Sequence, residues 1–360
     1  MNMFDKAHEE KVIGFPRAMS YYNDYPFYYG FFNALGIKVV LSDVTTKQTM
    51  SNGSALVVTE TCLPIKVYIG HVLNLIDKGV DKIFVPSIQS IAPKIYNCSK
   101  IRGLPDLVRN VVKKPFTMVE ATLDKSEKDQ GLYEFLAEIA KYYGITDKEV
   151  IKKASKAGWR CYNNFHIMTK SGMNYKKALN NALQGKVVIE SSSKEYPISI
   201  ALVSHGYNIY DDRTCMKIFD KLEAMDVKVY TSLQLSKEQL DDGITSLGNE
   251  QYWANEHDMT GSAGHYLKDV KVDGIITLTA FGCGPDSLMV ERITRKAKRF
   301  NKPLLNLTID EHTGEAGFIT RLEAFVDMLF RKKRAKLISK MNISESKLEY
   351  IPNTDYIETK

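Results

Sequence analysis

Long apolar runs are missing from this sequence. No stretch approaches 18 consecutive apolar residues, and residues 1–11 are polar, without the apolar core of a signal peptide. We therefore expect a cytoplasmic protein without a membrane segment. The composition is that of an ordinary soluble globular protein, because 44% of the residues are hydrophobic and 26% are charged. A chain of 360 residues is long enough for two domains of common size.

Two nucleotide-binding fingerprints are also absent. No Gly-x-Gly-x-x-Gly follows the first predicted strand, and Gly-x-x-x-x-Gly-Lys-Ser/Thr occurs nowhere. The net charge of +6 comes from basic and acidic residues mixed along the chain, with the densest basic cluster at 331–340. That cluster is typical of the solvated C-terminal part of a helix. Because no zinc spacing, recognition-helix motif or aromatic RNA-binding signature accompanies it, we expect no binding to nucleic acid.

Cysteine is scarce and widely spaced. An odd number of five in a reducing compartment argues against a disulfide framework. Cys161 and Cys215 lie on apolar stripes of helical spacing, where a cysteine usually behaves as a small buried hydrophobe. Cys62, Cys98 and Cys283 each follow a short apolar run and precede a helix-like segment. These three positions are predicted to be strand-to-helix loops.

Strand and helix signals alternate in both halves of the chain. This alternation predicts an α/β fold with two similar Rossmann-like lobes, in which parallel sheets are flanked by helices and a helical insertion separates the lobes. The predicted strands are 12–15, 38–41, 55–58, 82–85 and 116–119 in the first lobe, and 198–203, 227–230, 274–278 and 304–308 in the second. The predicted helices are 27–35, 64–78, 104–112, 212–225, 251–267 and 287–300, with a last helix from about 318.

A change of composition marks the boundary between the lobes. Lysine-rich helical periodicity replaces the α/β pattern after residue 121 and closes in the polar run 191–194. The predicted division is an N-terminal α/β lobe at 1–121, a helical insertion and linker at 122–196, a C-terminal α/β lobe at 197–340 and a tail at 341–360. The segments Gly79–Val85 and Lys271–Thr277 resemble each other, which indicates a faint internal repeat.

The three loop cysteines suit an iron-sulfur site. Open α/β sheets collect ligands at the carboxyl ends of their strands, and helix N-termini favour thiolate over thiol. Pro64 and Pro285 would begin the helices after two of these cysteines. Three thiolates on one 4Fe-4S cube would leave one iron open to a substrate. The leading interpretation is a cluster held by Cys62, Cys98 and Cys283; zinc is the rival metal, although an all-thiolate catalytic zinc site is less usual.

Polar residues follow the last predicted strand. The segment 310–317 should point into the crevice between the lobes, where Glu311, His312 and Glu315 are candidate acid-base groups. A helix N-cap cluster is the alternative interpretation of the same residues. His205, which follows the strand at 198–203, is either a loop residue with satisfied hydrogen bonds or a functional side chain.

A set of longer motifs runs over nearly the whole chain, apart from the helical middle and the last twenty or so residues. It comprises Ile13-Gly-Phe-Pro-Arg-Ala18, Tyr25-Pro-Phe27, Leu41-Ser-Asp43, Cys62-Leu-Pro-Ile-Lys66 with Gly70-His71, Cys98 with Gly103-Leu-Pro105, Phe281-Gly-Cys-Gly-Pro-Asp-Ser287, and Asp310-Glu-His-Thr-Gly-Glu-Ala-Gly317 with Thr320-Arg-Leu-Glu-Ala-Phe325. These motifs resemble those of the acyl-CoA dehydratase activase-related proteins. That family is related to the 2-hydroxyacyl-CoA dehydratase subunits and the double-cubane cluster proteins.

The resemblance implies a two-lobed α/β fold and an oxygen-sensitive iron-sulfur cluster held by Cys62, Cys98 and Cys283. It also implies a separate ATP-dependent activase that delivers low-potential electrons. Because this chain has no phosphate-binding loop, we expect it to accept those electrons rather than to hydrolyse ATP. A double-cubane cluster takes six cysteine ligands and the chain has five cysteines. One 4Fe-4S cluster per chain is therefore expected, unless two chains share ligands across a homodimer interface.

Three functions remain open from the sequence. The first is a cluster-dependent reductase or dehydratase-like enzyme, an oxidoreductase or lyase that acts on a small-molecule or acyl-CoA substrate at the open iron. The second is an electron-transfer or accessory subunit that carries the same cluster without substrate chemistry. The third is a metal-free two-lobed protein that binds a small molecule in the interlobe cleft. No motif identifies a CoA pocket or names the substrate.

Overall fold

The first half of the chain forms a four-stranded parallel sheet with helices around it. The computed structural model describes residues 10–126, 131–190, 194–248 and 253–348. Up to residue 126 the elements are β1 Val12–Phe15, α1 Tyr21–Ala34, β2 Lys38–Leu41, α2 Lys47–Ser54, α3 Leu63–Asp77, β3 Lys82–Phe84, β4 Ser87–Ile88, β5 Ser90–Ala92, β6 Ile95–Tyr96, α4 Ser99–Arg102, α5 Leu104–Val111, β7 Thr117–Val119 and β8 Thr122–Leu123. The strand order of the sheet is β2-β1-β3-β7. The short parallel pair β4 and β8 continues beyond β3 and β7.

Three helices follow and pack on the first sheet's helical layer. They are α6 Leu132–Lys141, α7 Lys148–Lys170 and α8 Tyr175–Leu183. Helix α7 begins at Asp147, whose side chain accepts hydrogen bonds from two backbone N–H groups of the first turn. Glycines bring α7 and α1 close together. A Cβ on Gly30 would lie 2.8 Å from the Ala157 carbonyl oxygen, and one on Gly158 would lie 2.7 Å from the Phe27 carbonyl oxygen.

The second half repeats the plan of the first. Its elements are β9 Ile198–Val203, α9 Gly206–Ile209, α10 Ile218–Ala224, β10 Val227–Tyr230, α11 Lys237–Leu247, α12 His257–Lys268, β11 Gly274–Ala280, α13 Gly284–Arg299, β12 Leu304–Ile309 and α14 Glu315–Leu348. All four strands are parallel, in the order β10-β9-β11-β12. Numbered within its own sheet, each half has the order 2-1-3-4. The predicted pair of similar α/β lobes is therefore confirmed.

The shared topology explains the faint sequence repeat. Segment Gly79–Val85 leads into β3 and segment Lys271–Thr277 leads into β11, which are the third strands of their sheets. All seven residues of β11 are buried, as expected for a strand with neighbours on both sides and helices on both faces.

The first and third strands are neighbours in each sheet. A topological switch point therefore lies between them, and ligand crevices form at such points. In the second sheet His205 and Cys283 follow those two strands.

The strand predicted at 55–58 is wrong. Helix α2 begins at Thr46, which forms a reciprocal capping box with Thr49, and it packs almost in backbone contact with α3. A Cβ on Gly53 would lie only 1.8 Å from the Lys66 carbonyl oxygen. The segment between these two helices is therefore a turn at the surface, where Val58 is 70% exposed. An apolar run of four residues is too short to distinguish a strand from such a turn.

Two predicted helices begin later than expected. The helix predicted at 212–225 starts at Ile218, because the Asp211 carboxylate accepts hydrogen bonds from the N–H groups of Arg213 and Thr214 and holds the chain in turns. The helix predicted at 251–267 is Ala254–Glu256 in 3₁₀ form, followed by α12; residues 251 and 252 lie outside the described residues. Helix α1, predicted at 27–35, begins earlier, at Tyr21. The other strands and helices match their predicted positions within a few residues.

The division of the chain at residues 121, 196 and 340 stays a prediction. Strand β8 pairs with β4 of the first lobe, and α14 runs across residue 340. Residues 191–193 of the predicted linker and 349–360 of the predicted tail lie outside the described residues. Within the described ranges, no helix combines the length and apolar character that crossing a membrane requires.

The contact between α1 and α7 generates a prediction. Gly30→Ala should lower the free energy of unfolding by about 1–3 kcal/mol, because its methyl group would overlap the Ala157 carbonyl oxygen in a close-packed contact. Gly317→Ala is the control, since it also places alanine in a helix but meets nothing within 4 Å. Urea unfolding of both variants would measure the difference. Equal stability of the two would contradict close packing at Gly30.

Candidate functional site

All three loop cysteines begin helices. Cys62 is the N-cap residue of α3, Cys98 of α4 and Cys283 of α13, each with an extended backbone. Pro64 and Pro285 lie in the first turns of two of these helices, as predicted. Cys98 follows β6 and Cys283 follows β11, whereas Cys62 follows the turn that replaces its predicted strand.

The three cysteine loops meet although two come from one lobe and one from the other. Gly282, directly before Cys283, has a φ of +76°, and a Cβ there would lie 3.0 Å from the Glu60 carbonyl oxygen and 3.9 Å from the Cα of Cys62. The same carbonyl oxygen accepts a hydrogen bond of 3.2 Å from Lys100 Nζ, and Lys100 is two residues after Cys98. Glycine at 282 permits both the left-handed backbone and the close approach.

Tyr207 is a buried phenol close enough to Asp286 and the three loop cysteines for their charges to affect its pKa. Burial raises the pKa of Tyr207 well above its usual value, and the Asp286 carboxylate and then Cys283, Cys62 and Cys98 add to the increase. The phenol therefore keeps its proton and can donate a hydrogen bond. Its ring stacks on the imidazole of the nearby His205, with 4.9 Å between ring centroids.

Burial decides the protonation of the thiols. Burial raises the pKa of the Cys62 thiol. Burial also raises the pKa of the Cys283 thiol, and the negative charge of the neighbouring Asp286 carboxylate raises it further. The expectation that helix N-termini would favour thiolate is therefore wrong for these two residues. Desolvation penalises the charged form more than the helix dipole helps it. A metal would replace the proton of such a thiol, since a coordinating thiol is deprotonated outright.

The other two cysteines are not helix-capping residues. Both side chains are buried, and burial raises the pKa of Cys161 to about 11 and that of Cys215 to about 12. Cys161 lies on the predicted stripe of α7, and its thiol donates to the Ala182 carbonyl oxygen at 3.4 Å. Cys215 lies in the turn before α10 rather than on a helix, but it is buried as expected.

A buried histidine and aspartate lie behind the third cysteine loop. His205 Nε2 and Asp286 Oδ1 are 2.7 Å apart, and both side chains are buried. Burial lowers the pKa of His205, but the charge and hydrogen bond of Asp286, with smaller contributions from Glu256 and Asp258, outweigh it and leave the pKa raised. A protonated His205 would neutralise the carboxylate next to Cys283. Sequence analysis left two interpretations of His205 open. The residue does have a satisfied hydrogen bond, and it also lies beside the loop of Cys283.

Several buried polar atoms around this pair have no hydrogen-bond partner among the described residues. They are both carboxylate oxygens of Glu256, Oδ2 of Asp286 and both amide atoms of Asn208. These three side chains are almost completely inaccessible. Because buried polar groups are nearly always satisfied, such a concentration is typical of a functional site. Burial raises the pKa of Glu256 to about 7, so this carboxyl titrates near neutral pH.

Glu311 connects the two lobes through a buried ion pair. Lys66, in the first turn of α3, is only 3% exposed, and its Nζ lies 2.5 Å from Glu311 Oε1. The same ammonium donates to the Thr59 carbonyl oxygen at 2.9 Å. Thr59 belongs to the turn that leads into Cys62. The loop after β12 is thereby fixed to the helix and the turn on either side of Cys62.

The other two candidate acid-base residues lie at the surface. The side chain of His312 is 83% exposed, and Glu315 forms a surface ion pair with Lys221 at 2.8 Å. The alternative interpretation of an N-cap cluster is partly realised, because Asp310 Oδ1 accepts from the His312 N–H and from the Thr313 hydroxyl. The structure therefore brings Glu311 to the interlobe contact and leaves His312 and Glu315 outside it.

A second polar network joins the lobes on the other side of α3. Asp211 Oδ2 accepts a hydrogen bond of 2.7 Å from the Tyr22 hydroxyl and another from Thr45. Thr45 Oγ1 lies 2.9 Å from His71 Nε2. Burial lowers the pKa of His71 to about 4, so the imidazole is neutral at physiological pH. This network fixes the relative position of the lobes in the same region as the cysteines.

The three loop cysteines are free of disulfides. Among the residues that the structure describes, no group of three or more His, Cys, Asp or Glu side chains is arranged to hold a single metal ion. A polynuclear cluster binds its thiolates through different iron atoms, so its ligands lie further apart than those of one ion. The three free cysteines lie on loops that meet.

Comparison with known proteins identifies the family. Residues 12–235, more than half of the chain, match the family described as "CoA enzyme activase uncharacterised domain (DUF2229)". The chain belongs to this family. The match agrees with the resemblance found in the motifs, and it extends through the helical middle that the motifs left out. It ends before Cys283, so two of the three loop cysteines of this CoA enzyme activase domain protein lie within the matched region.

Other comparisons add little to this assignment. No curated protein matches this chain. Among solved structures, a proposed phosphosugar isomerase from Silicibacter pomeroyi is similar at 9% sequence identity, over 91% of this chain and 87% of that chain, with a TM-score of 0.19. A TM-score this low supports no conclusion about fold or function.

Sequence analysis missed several residues of the site. Asp286 stands three residues after a loop cysteine at a strand end, a position that could have marked it. Lys66 is the one charged residue in the first three turns of α3, which could have indicated a buried partner. Glu256 lies inside the helix predicted at 251–267, where a carboxylate is expected to be structural, whereas the structure places it in a 3₁₀ turn.

The interlobe ion pair generates a prediction. Glu311→Ala should lower the free energy of unfolding by about 3 kcal/mol, because it leaves the buried Lys66 ammonium without its counter-charge. Adding Lys66→Met should restore part of the loss, since no unpaired charge remains. Glu315→Ala is the matched control and should change stability little, because the Glu315 carboxylate is 62% exposed and its partner Lys221 also donates to the Met216 carbonyl oxygen. Equal effects of Glu311→Ala and Glu315→Ala would contradict the buried pair.

Glu256 generates a pH-dependent prediction. Its pKa is raised to about 7 in the folded protein, so the folded state holds this proton more tightly than the unfolded state does. The wild type should therefore lose about 2–3 kcal/mol of stability through this carboxyl as pH rises from about 4.5 to about 7. Glu256→Gln cannot ionise and should not show that loss. Urea unfolding at pH 5, 6, 7 and 8 would test the difference.

Glu323→Gln is the control for this experiment, since Glu323 is exposed on α14. The charged groups that shift the pKa of Glu256 are His205, Asp286 and Arg292. All three are unchanged in both variants. The stability difference between wild type and Glu256→Gln should grow across this pH range, while that for Glu323→Gln stays constant. A constant difference for both variants would show that Glu256 ionises normally.

Proposed function

We propose that this protein is an iron-sulfur protein in which Cys62, Cys98 and Cys283 hold the cluster. The observation that supports this proposal best is the contact between the helix-capping cysteine loops of both lobes, at Gly282, Glu60 and Lys100. When bound, the cluster would store a low-potential electron and offer an iron without a protein ligand to a substrate. A 4Fe-4S cluster is the form that three ligands per chain favour.

The protein's own polar groups would tune this centre. The Tyr207 phenol keeps its proton and can donate to the negative charge that the thiolates bring. His205 holds the Asp286 carboxylate at 2.7 Å, and in its protonated form it supplies a positive charge close to Cys283. Lys100 Nζ lowers the pKa of Cys62 and also fixes the backbone at Glu60. Hydrogen bonds and charges of this kind set the potential of a cluster.

The proposal includes an electron donor and a substrate. The family's description as a CoA enzyme activase domain supports an activase-related or CoA-related context for this protein. We propose that a separate ATP-dependent activase reduces the cluster, and that a small-molecule or acyl-CoA substrate is then reduced or dehydrated at the open iron. Glu311, which the structure holds at the interlobe contact, is a better candidate for proton transfer to substrate than His312 or Glu315.

Iron analysis tests the proposal. Protein purified without oxygen should contain about four irons per chain, with matching sulfide, and should give the visible and EPR spectra of a 4Fe-4S cluster. Cys62→Ala, Cys98→Ala and Cys283→Ala should each lose the cluster, because each removes one of three ligands. Cys161→Ala is the control, since its thiol is buried away from the site and should not affect iron content.

Each result of this experiment has a distinct meaning. Wild type without iron after anaerobic reconstitution would refute the cluster and favour a metal-free binding cleft. Zinc in place of iron would refute the electron-transfer role. A cluster that is present but never binds an added substrate or inhibitor at an iron would favour an accessory electron-transfer subunit. Loss of iron in Cys161→Ala equal to that in the loop variants would refute the ligand assignment.

A further inference from the structure

A cavity at the opposite edge of the second sheet is independent of the cysteine site. Its volume is about 210 Å³, and it lies between the loop before β11, the loop before β12 and one face of α14. The residues that line it therefore precede the strands, whereas Cys283 and Glu311 follow them. Nothing in the proposed function uses this cavity, which is here called the lysine cavity.

Positive charge dominates the lysine cavity. Four lysines and one aspartate are among its lining residues: Lys302, Lys332, Lys333, Lys336 and Asp273. The carboxylate is already engaged, since Asp273 Oδ2 accepts from the Ser199 N–H at 2.9 Å and from Lys333 Nζ at 3.0 Å. Lysines at positions 332, 333 and 336 belong to the basic run that sequence analysis assigned to a solvated helix end. The structure turns these three toward a cavity.

The ammonium groups of the lysine cavity repel one another. Burial lowers the pKa of Lys302, and Lys336 and Lys332 lower it further against the attraction of Asp269 and Asp273. Lys302 Nζ donates to the carbonyl oxygens of Asp269 and Val272, at 2.8 and 2.7 Å, which fixes it in the wall. A bound anion would relieve this repulsion, so the cavity is electrostatically suited to a multiply charged anion.

Apolar side chains form the mouth of the same cavity. Val270 is 93% exposed and Phe300 is 45% exposed, while Val272 and Leu329 form a buried floor. Exposed apolar residues beside a charged cavity are a feature of sites for ligands that have both kinds of surface. A cavity of this size encloses only part of such a ligand. The anionic group would therefore enter between the lysines, and an organic group would rest on Val270 and Phe300 outside.

We propose that the lysine cavity binds a phosphate monoester with a flat organic group, of the type of a nucleoside monophosphate. Lys332 and Lys336 would contact the phosphate, and the Phe300 ring would stack on the organic group. A phosphate monoester carries up to two negative charges near neutral pH. These charges would compensate the net positive charge that the lysines give to the cavity. The Val270 side chain completes the apolar surface.

Calorimetric titration of the full-length protein tests this proposal. AMP is the probe, with inorganic phosphate and adenosine as its two halves. Lys332→Ala combined with Lys336→Ala should weaken AMP and phosphate binding by about tenfold or more, because two charge-assisted contacts are removed. Phe300→Ala should weaken AMP binding and leave phosphate binding unchanged. Circular dichroism would confirm that the variants are folded.

A matched control separates this cavity from general charge. Arg331→Ala combined with Arg334→Ala removes the same net charge from the same helix, at exposed positions that do not line the cavity. This variant should bind AMP within about twofold of wild type. Equal loss in both double variants would show diffuse electrostatic attraction and overturn the proposal. Failure of the wild type to bind AMP or phosphate at millimolar concentration would also overturn it, whatever the iron content of the protein.

Discussion

The buried ammonium of Lys66 is the interaction on which the geometry of the site depends. A charge in the interior is costly unless it is paired and hydrogen-bonded, so the sequence must supply it with partners. One partner is the Thr59 carbonyl oxygen of its own turn, and the other is Glu311 of the opposite lobe. Because the turn from Thr59 leads directly into Cys62, this single ion pair sets where Cys62 lies relative to the second sheet.

The repeated topology explains why a site forms between the lobes at all. Each sheet has the strand order 2-1-3-4, and the carboxyl ends of parallel strands are where open sheets leave a crevice. Cys283 and His205 follow neighbouring strands at that position in the second sheet. Cys62 and Cys98 reach the same region from the first lobe on helix-capping loops. The three cysteine loops meet only because the two lobes are in contact.

The buried carboxyl groups beside the cysteine loops lower the stability of the fold. Asp286 and Glu256 place carboxyl groups beside a cysteine in a buried region, and several of their oxygens lack partners among the described residues. Such groups destabilise a fold that does not use them. The raised pKa of His205 and the retained proton of Tyr207 offset part of the negative charge. The same groups that cost stability are thereby available to control charge at the candidate centre.

Local pattern was enough to determine most of the fold and the sorting of the cysteines. Strands such as Val12–Phe15 and Ile198–Val203 were predicted with their observed bounds, because period and β-branched composition act over a few residues. The same signals separated Cys62, Cys98 and Cys283 from the buried Cys161 and Cys215. Only the tertiary structure decided which polar groups face those cysteines: Lys66 meets Glu311 across 245 residues, and His205 meets Asp286 across 81. Burial and charge pairing arise from contacts between distant segments, which no local periodicity encodes.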